Sequence, residues 1–105
     1  MLSRITYNLK ATVSLLPTAF GGRENPVQSG YKPSFGFNTA NHYCGQIDLL
    51  EVDTLLPGET GSVEIKLLPA KTLRKNLKEF DAFCITEGNK PVGTGYLTEV
   101  HVVDI

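Results

Sequence analysis

One segment near the N-terminus, residues 4–16, constrains the fold of this chain more than any other. Its apolar and polar side chains alternate over 13 residues, and the apolar positions share one parity: Ile5, Tyr7, Leu9, Ala11, Val13 and Leu15. A period of two places alternate side chains on opposite faces of an extended strand. The segment therefore predicts a long strand with one buried face. Pro17 ends this strand, because proline has no amide hydrogen to donate to a sheet.

Five later segments also have the character of strands: residues 34–39, 46–52, 61–68, 80–87 and 91–103. We expect the fourth of them to be buried on both faces. Only residues 69–79 favour a single helical turn, because Leu73 and Leu77 are spaced i, i+4. Short strands separated by turns predict an all-β protein, either an antiparallel barrel or a sandwich.

Two turns between these strands have clear signals. Pro57-Gly58 suits a type II turn, in which proline occupies the first central position and glycine the second. Gly88-Asn89-Lys90 is expected to close a hairpin between the last two strands.

A glycine-rich stretch, residues 21–37, follows the first strand, and we call it the glycine loop. It contains four glycines and two prolines, so its backbone determines its shape and the side chains of Arg23, Tyr31 and Lys32 are held in place by it. The role of Arg23 has two interpretations. In the first, its guanidinium fork binds an external group, either a phosphate or a partner's carboxylate. In the second, it binds backbone carbonyls within the loop and ties the loop down. We expect Gly22 to need a positive φ that a larger residue could not adopt.

Length and charge limit the classes of function. A chain of 105 residues forms one domain, and a net charge of −1 argues against a strongly basic nucleic-acid-binding surface. No apolar run approaches the roughly 20 residues that span a bilayer, and the N-terminus lacks a signal core, so we expect a cytoplasmic protein without membrane contact.

Charged residues nevertheless cluster locally. Five basic residues lie within 13 positions: Lys66, Lys71, Arg74, Lys75 and Lys78. This patch favours either an acidic partner such as a nucleic acid or a solvated loop. An acidic counterpart consists of Asp48, Glu51, Asp53 and Glu59. The pair of patches would make a dipolar surface suited to steering a protein partner.

The residues that could support chemistry do not form a recognisable site. Cys44 and Cys84 are expected to be reduced and mostly buried. His42 and Cys44 lack a second close pair, so the spacing does not match structural zinc sites. We therefore predict no metal, no cofactor and no enzymatic activity.

Several short motifs resemble the C-terminal (third) barrel of elongation factor Tu. They are Gly21-Gly22-Arg23, Gly30-Tyr31-Lys32-Pro33, Leu56-Pro57-Gly58, Glu87-Gly88 and the Gly93-x-Gly95 pair, and they occur in the family's order. The match covers roughly residues 7–100. It implies a closed six-stranded antiparallel Greek-key barrel that fills the whole chain, residues 1–105.

The resemblance also implies a function. Family members carry this barrel after a GTPase domain and a second barrel, whereas this sequence has no G-x-x-x-x-G-K-[ST] loop, so we expect a stand-alone barrel that binds no nucleotide of its own. In the family the barrel touches the backbone of transfer RNA and packs on the GTPase domain. We expect a non-catalytic, translation-associated module that contacts RNA such as tRNA. The alternative is a protein–protein module that docks on or regulates a GTPase or another protein.

Seven positions match the family and are the predicted RNA- or partner-binding residues: Arg23, Tyr31, Lys32, Thr39, Lys90, Gly93 and Gly95. Other positions depart from the family pattern. Ser34 stands where the family has a glutamine that meets RNA, and Thr86 stands where the family has an arginine.

Overall fold

The computed structural model of this chain describes residues 5–37, 41–68 and 77–104. Eight strands lie in these residues: β1 Ile5–Leu15, β2 Val27–Gln28, β3 Ser34–Gly36, β4 His42–Leu49, β5 Thr54–Leu55, β6 Thr60–Leu67, β7 Ala82–Glu87 and β8 Lys90–Asp104. A single 3-10 turn, Thr18–Phe20, follows β1, and the described residues contain no α-helix.

Six of the strands form a closed barrel in the order β1-β6-β4-β3-β7-β8. Every neighbouring pair is antiparallel, and β1 closes the barrel because it pairs with both β6 and β8. Leu9, for example, lies opposite Ile65 on one side and Val100 on the other. Closure leaves the barrel with no unpaired sheet edge. The structure confirms the predicted closed six-stranded all-β barrel.

The barrel interior is filled by alternate residues of its strands. On β1 the buried side chains are Tyr7, Leu9, Ala11, Val13 and Leu15, which confirms the expected alternation over these positions. The side chain of Ile5 lies outside the described residues. Phe83 of β7 packs against two other rings, with centroid distances of 5.9 Å to Phe35 and 5.4 Å to Phe37. Burial of each such side chain contributes about 1.5–3 kcal/mol, so the core is the main source of stability.

The expected burial of residues 80–87 on both faces is wrong. On β7, Phe83 and Ile85 are buried, whereas Ala82 and Cys84 are exposed. A barrel strand has one face toward the core and one toward solvent, so an apolar strand cannot bury both. Cys44 is exposed as well, and the prediction of mostly buried thiols is therefore wrong.

Phe80 lies outside the strand that the sequence predicts for it. Phe80 has a φ of +70° and is the only described residue other than the glycines with a positive φ. It is 76% exposed. Its amide donates to the Leu97 carbonyl at 2.7 Å, which holds it beside β8. A bulky residue in the left-handed region is strained.

The turn at Pro57-Gly58 forms as predicted. The amide of Glu59 donates to the Leu56 carbonyl at 3.0 Å, and Gly58 has φ +87°, as a type II turn requires. The last hairpin turns at Gly88 and Asn89, because Lys90 already pairs with Glu87.

Strands β2 and β5, two residues each, pair with one another outside the barrel and were not expected from the sequence. Strand β4 also begins four residues earlier than predicted, at His42.

Some sequence predictions fall on residues outside the described ranges. These are Thr39, three members of the basic patch (Lys71, Arg74 and Lys75) and most of the interval 69–79. Within the described ranges, no helix is long and apolar enough to cross a membrane.

Candidate functional site

The candidate site lies at the end of the barrel where β1 and β7 end and β8 begins. The 3-10 turn leads the chain from β1 into the glycine loop, and Gly21 ends that turn with φ +89°. The next residue, Gly22, is buried, and a Cβ there would overlap the Leu16 carbonyl. The prediction of a positive φ at Gly22 is therefore wrong. Gly21 adopts the positive φ, whereas Gly22 is required because there is no room for a Cβ at its position.

Arg23 is held by acceptors on three sides. Its Nε donates to the Asn25 carbonyl at 3.1 Å and one terminal nitrogen donates to the Pro26 carbonyl at 3.5 Å. The other terminal nitrogen donates to a carboxylate oxygen, Oε2 of Glu87 on β7. The Arg23 side chain is only 20% exposed. Its guanidinium thus ties the loop both to itself and to the barrel, as one of the two interpretations expects.

Tyr31 completes this arrangement. Its hydroxyl donates to the same Oε2 of Glu87, and the Arg23 guanidinium lies over its ring, 4.7 Å from the centroid. This distance is in the range of a cation–π contact. The backbone of Tyr31 is also fixed, because its carbonyl accepts from the Ile47 amide at 2.7 Å. We call Arg23, Tyr31 and Glu87 the loop triad.

The charges of the loop triad are set by its geometry. Partial burial works to raise the pKa of Glu87, but hydrogen bonds from Tyr31 and Arg23 and the nearby cations outweigh it and hold that pKa below its usual value. Burial and the hydrogen bond to Glu87 raise the pKa of Tyr31. At neutral pH the triad therefore consists of a guanidinium cation, a carboxylate and a neutral phenol.

Two lysines lie at the rim of the triad. Lys90 is exposed, and its Nζ lies 3.4 Å from the Gly22 carbonyl to which it donates. Lys32, next in the chain to Tyr31, is exposed, and no described residue pairs with its ammonium group. Neither lysine has a carboxylate within salt-bridge distance among the described residues, although the charge of Lys90 contributes to the lowered pKa of Glu87.

Gly93 and Gly95 lie apart from the rim, in the barrel wall. A Cβ at Gly93 would lie 2.9 Å from the Ser14 carbonyl oxygen, and one at Gly95 would lie 2.7 Å from the Thr12 carbonyl oxygen. These contacts are closer than real Cβ atoms make, so glycine lets β8 approach β1 at both positions. Within the described ranges, contacts bring Arg23, Tyr31 and Lys90 to the same end of the barrel. Lys32 belongs to this group through its position next to Tyr31 in the chain.

Sequence reasoning did not identify Glu87 as a site residue. Glu87 and Arg23 are 64 residues apart in the chain, and no local pattern connects them. The available signal was indirect. The sequence placed Arg23 in a constrained loop, where a guanidinium needs a hydrogen-bond acceptor, and it placed a carboxylate, Glu87, next to a tight turn. Within the described ranges, no three His, Cys, Asp or Glu side chains lie together as metal ligands would.

Comparison with known families gives a match over almost the entire chain. The model described as "Elongation factor Tu C-terminal domain" matches residues 4–101 of the 105. The match includes the loop triad, both rim lysines, five strands of the barrel in full and β8 as far as residue 101.

Proposed function

Because the chain belongs to the elongation factor Tu C-terminal domain family, we propose that it is a non-catalytic, translation-associated binding module that contacts RNA, with tRNA as the expected ligand, in the cytoplasm. The observation that carries this proposal is the pair of exposed rim lysines, Lys32 and Lys90, beside a loop that the triad ties to β7. Exposed cations beside a hydrogen-bonded loop suit the backbone of a structured RNA.

The residues at this end would have different roles. Lys32 and Lys90 would contact phosphates, because no carboxylate among the described residues neutralises them within salt-bridge distance. Arg23 would mainly position the loop, since Glu87 and two carbonyls already accept from it. Gly93 and Gly95 would support the site indirectly by keeping β8 close to β1. Thr39 stays a family-based expectation.

A gel mobility assay with bulk tRNA at several salt concentrations tests the proposal. Lys32→Ala and Lys90→Ala should each weaken binding, and each should lower the slope of log affinity against log salt by roughly 0.7–1 for one lost phosphate contact. The matched control is Lys10→Ala, which removes one exposed charge from the middle of β1. Unchanged salt slopes in both rim variants would exclude this end of the barrel as the RNA contact.

A second function, docking on a GTPase-type protein, is favoured by apolar side chains at the same end. Phe20 is 80% exposed directly before Gly21, and Leu56 is exposed in the neighbouring turn, where Gly58 approaches the Pro17 ring. Exposed apolar groups of this kind are typical of protein interfaces.

Mixing the chain with a translational GTPase truncated to its first two domains would test docking. Binding should persist at high salt and weaken in Phe20→Ser combined with Leu56→Ser. The double variant Lys32→Ala/Lys90→Ala should leave it intact. Binding that Phe20→Ser/Leu56→Ser leaves unchanged would exclude these apolar side chains as the docking contact.

A further inference from the structure

The glycine loop has a second anchor on the β4 side of β3, whereas Glu87 holds the loop from the β7 side. The amide of Gly30 donates a hydrogen bond to Oδ1 of Asp48 on β4 at 3.0 Å. Beside it, the amide of Leu49 donates to the hydroxyl of Ser29 at 2.8 Å. Side chains of β4 and of the loop therefore hold the two together at this point.

Gly30 is the residue at which the loop turns toward Lys32. Its φ is +96°, and the amide of Tyr31 donates to the Gln28 carbonyl at 3.3 Å, as in a β-turn with a positive φ at its third residue. Backbone hydrogen bonds also join Gly30 and Tyr31 to Ile47. Lys32 follows directly, so the course of the chain into this rim lysine is set at the turn.

Asp48 is itself held in the orientation that this contact needs. The side-chain amide of Gln46 donates to both of its carboxylate oxygens, at 3.0 and 3.3 Å. Asp48 forms no ion pair with a described residue. Hydrogen bonds to the loop and to its own strand therefore account for this carboxylate, which is one of the four in the predicted acidic patch.

The charge of Asp48 works against the binding of RNA. Asp48 contacts Gly30, two residues before Lys32, and a carboxylate so close to a phosphate contact repels the polyanion. Directly opposite Asp48 on β6 lies Glu64, which has no hydrogen bond to the glycine loop among the described residues. The two acids carry the same charge, and only Asp48 contacts the loop.

We propose that Asp48 is a positioning residue for the RNA contact. It acts through Gly30 and holds the backbone before Lys32 in the orientation that phosphate binding uses. The inference rests on the proposed RNA function. The loss of this anchor costs more affinity for RNA than the removal of an anion adds.

Substitutions of the two acids distinguish positioning from charge. In the mobility assay with bulk tRNA, Asp48→Ala should weaken binding about threefold to tenfold, although it removes an anion. Asp48→Asn should bind at least as tightly as the wild type, because its amide oxygen can still accept from Gly30 and Gln46. The matched control Glu64→Ala should not weaken binding. If Asp48 acted only through its charge, all three variants would tighten it.

Double variants locate the effect at one lysine. Asp48→Ala should add little to the loss of affinity in Lys32→Ala, because the same phosphate contact has already been removed. Its effect should be additive with that of Lys90→Ala, which removes a different contact. A general destabilisation of the fold would instead add equally to both, and this result would overturn the inference.

Backbone dynamics give a readout that needs no RNA. Order parameters from heteronuclear relaxation should fall at residues 29–32 in Asp48→Ala and keep their wild-type values in Asp48→Asn. Unchanged order parameters in Asp48→Ala would overturn the anchor itself. Failure of the wild type to bind tRNA at low salt would overturn the proposed function and this role with it. Wild-type binding that Asp48→Ala does not weaken would overturn the positioning role alone.

Discussion

The guanidinium of Arg23 donates a hydrogen bond to the carboxylate of Glu87, 64 residues further along the chain. This pair joins the glycine loop to the hairpin between β7 and β8. The loop that carries three of the seven predicted binding residues, Arg23, Tyr31 and Lys32, is thus held by a contact with the barrel itself. Its rigidity and the stability of the fold should therefore change together when this contact is altered.

A double-mutant cycle on Arg23→Ala and Glu87→Ala should measure this coupling. We expect an interaction free energy of about 1–2 kcal/mol, because the hydrogen bond is charge-assisted but Glu87 is 36% exposed and solvent screens it. The matched control is the pair Lys10→Ala and Glu99→Ala, two half-exposed side chains 3.7 Å apart, whose coupling should be weaker because solvent screens both charges. Urea unfolding of all variants gives both values. Equal coupling in the two cycles would show that Arg23 does not anchor the loop.

Acid should weaken the fold partly through Glu87. Its pKa in the folded protein lies below its usual value, whereas in the unfolded chain a glutamate has a pKa of about 4.3. The folded state therefore binds the proton less readily, and this stabilisation is present above the unfolded pKa and is lost as the pH falls through the folded pKa.

Urea midpoints measured at about pH 6 and about pH 3 test this linkage. Glu87→Gln should lose less stability between the two values than the wild type does. The control Glu24→Gln removes an exposed carboxylate from the same loop. A Glu87→Gln profile parallel to that of the wild type would contradict the linkage.

Two adjacent glycines should respond differently to alanine. Gly21→Ala should cost about 1–2 kcal/mol, because φ is +89° but no atom lies within 4 Å of the added Cβ. Gly22→Ala should cost more, about 3 kcal/mol or above, since its Cβ overlaps the Leu16 carbonyl and the backbone must move. Thermal or urea unfolding measures both changes. A larger loss of unfolding free energy in Gly21→Ala than in Gly22→Ala would show that backbone conformation, rather than room for a Cβ, is the stricter requirement in this turn.

Phe80→Asn should stabilise the protein by about 1 kcal/mol. Asparagine adopts the left-handed region more readily than phenylalanine, and little buried area is lost because Phe80 is 76% exposed at φ +70°. The control is Phe20→Asn, at a similarly exposed residue without a positive φ, with a change within about 0.5 kcal/mol. A lower melting temperature for Phe80→Asn would indicate that the ring makes a stabilising contact.

The local features of this fold could be predicted from the sequence. Residues 4–16 predicted β1 because a period of two depends only on neighbouring positions, and Pro57-Gly58 predicted its turn because φ preferences are local. The family motifs predicted six strands and a closed barrel, which the structure confirms.

Tertiary structure decided the features that depend on distant residues. Strands β2 and β5 are too short to have a pattern and exist because they pair with each other. Cys84 is exposed because a closed barrel has a single interior, although its neighbours in sequence are apolar. The partner of Arg23 is Glu87, because the antiparallel pairing of β3 with β7 places the end of β7 beside the glycine loop. Side-chain alternation and backbone preference are local and can be read from the chain, whereas burial and ion pairing depend on which segments meet in space.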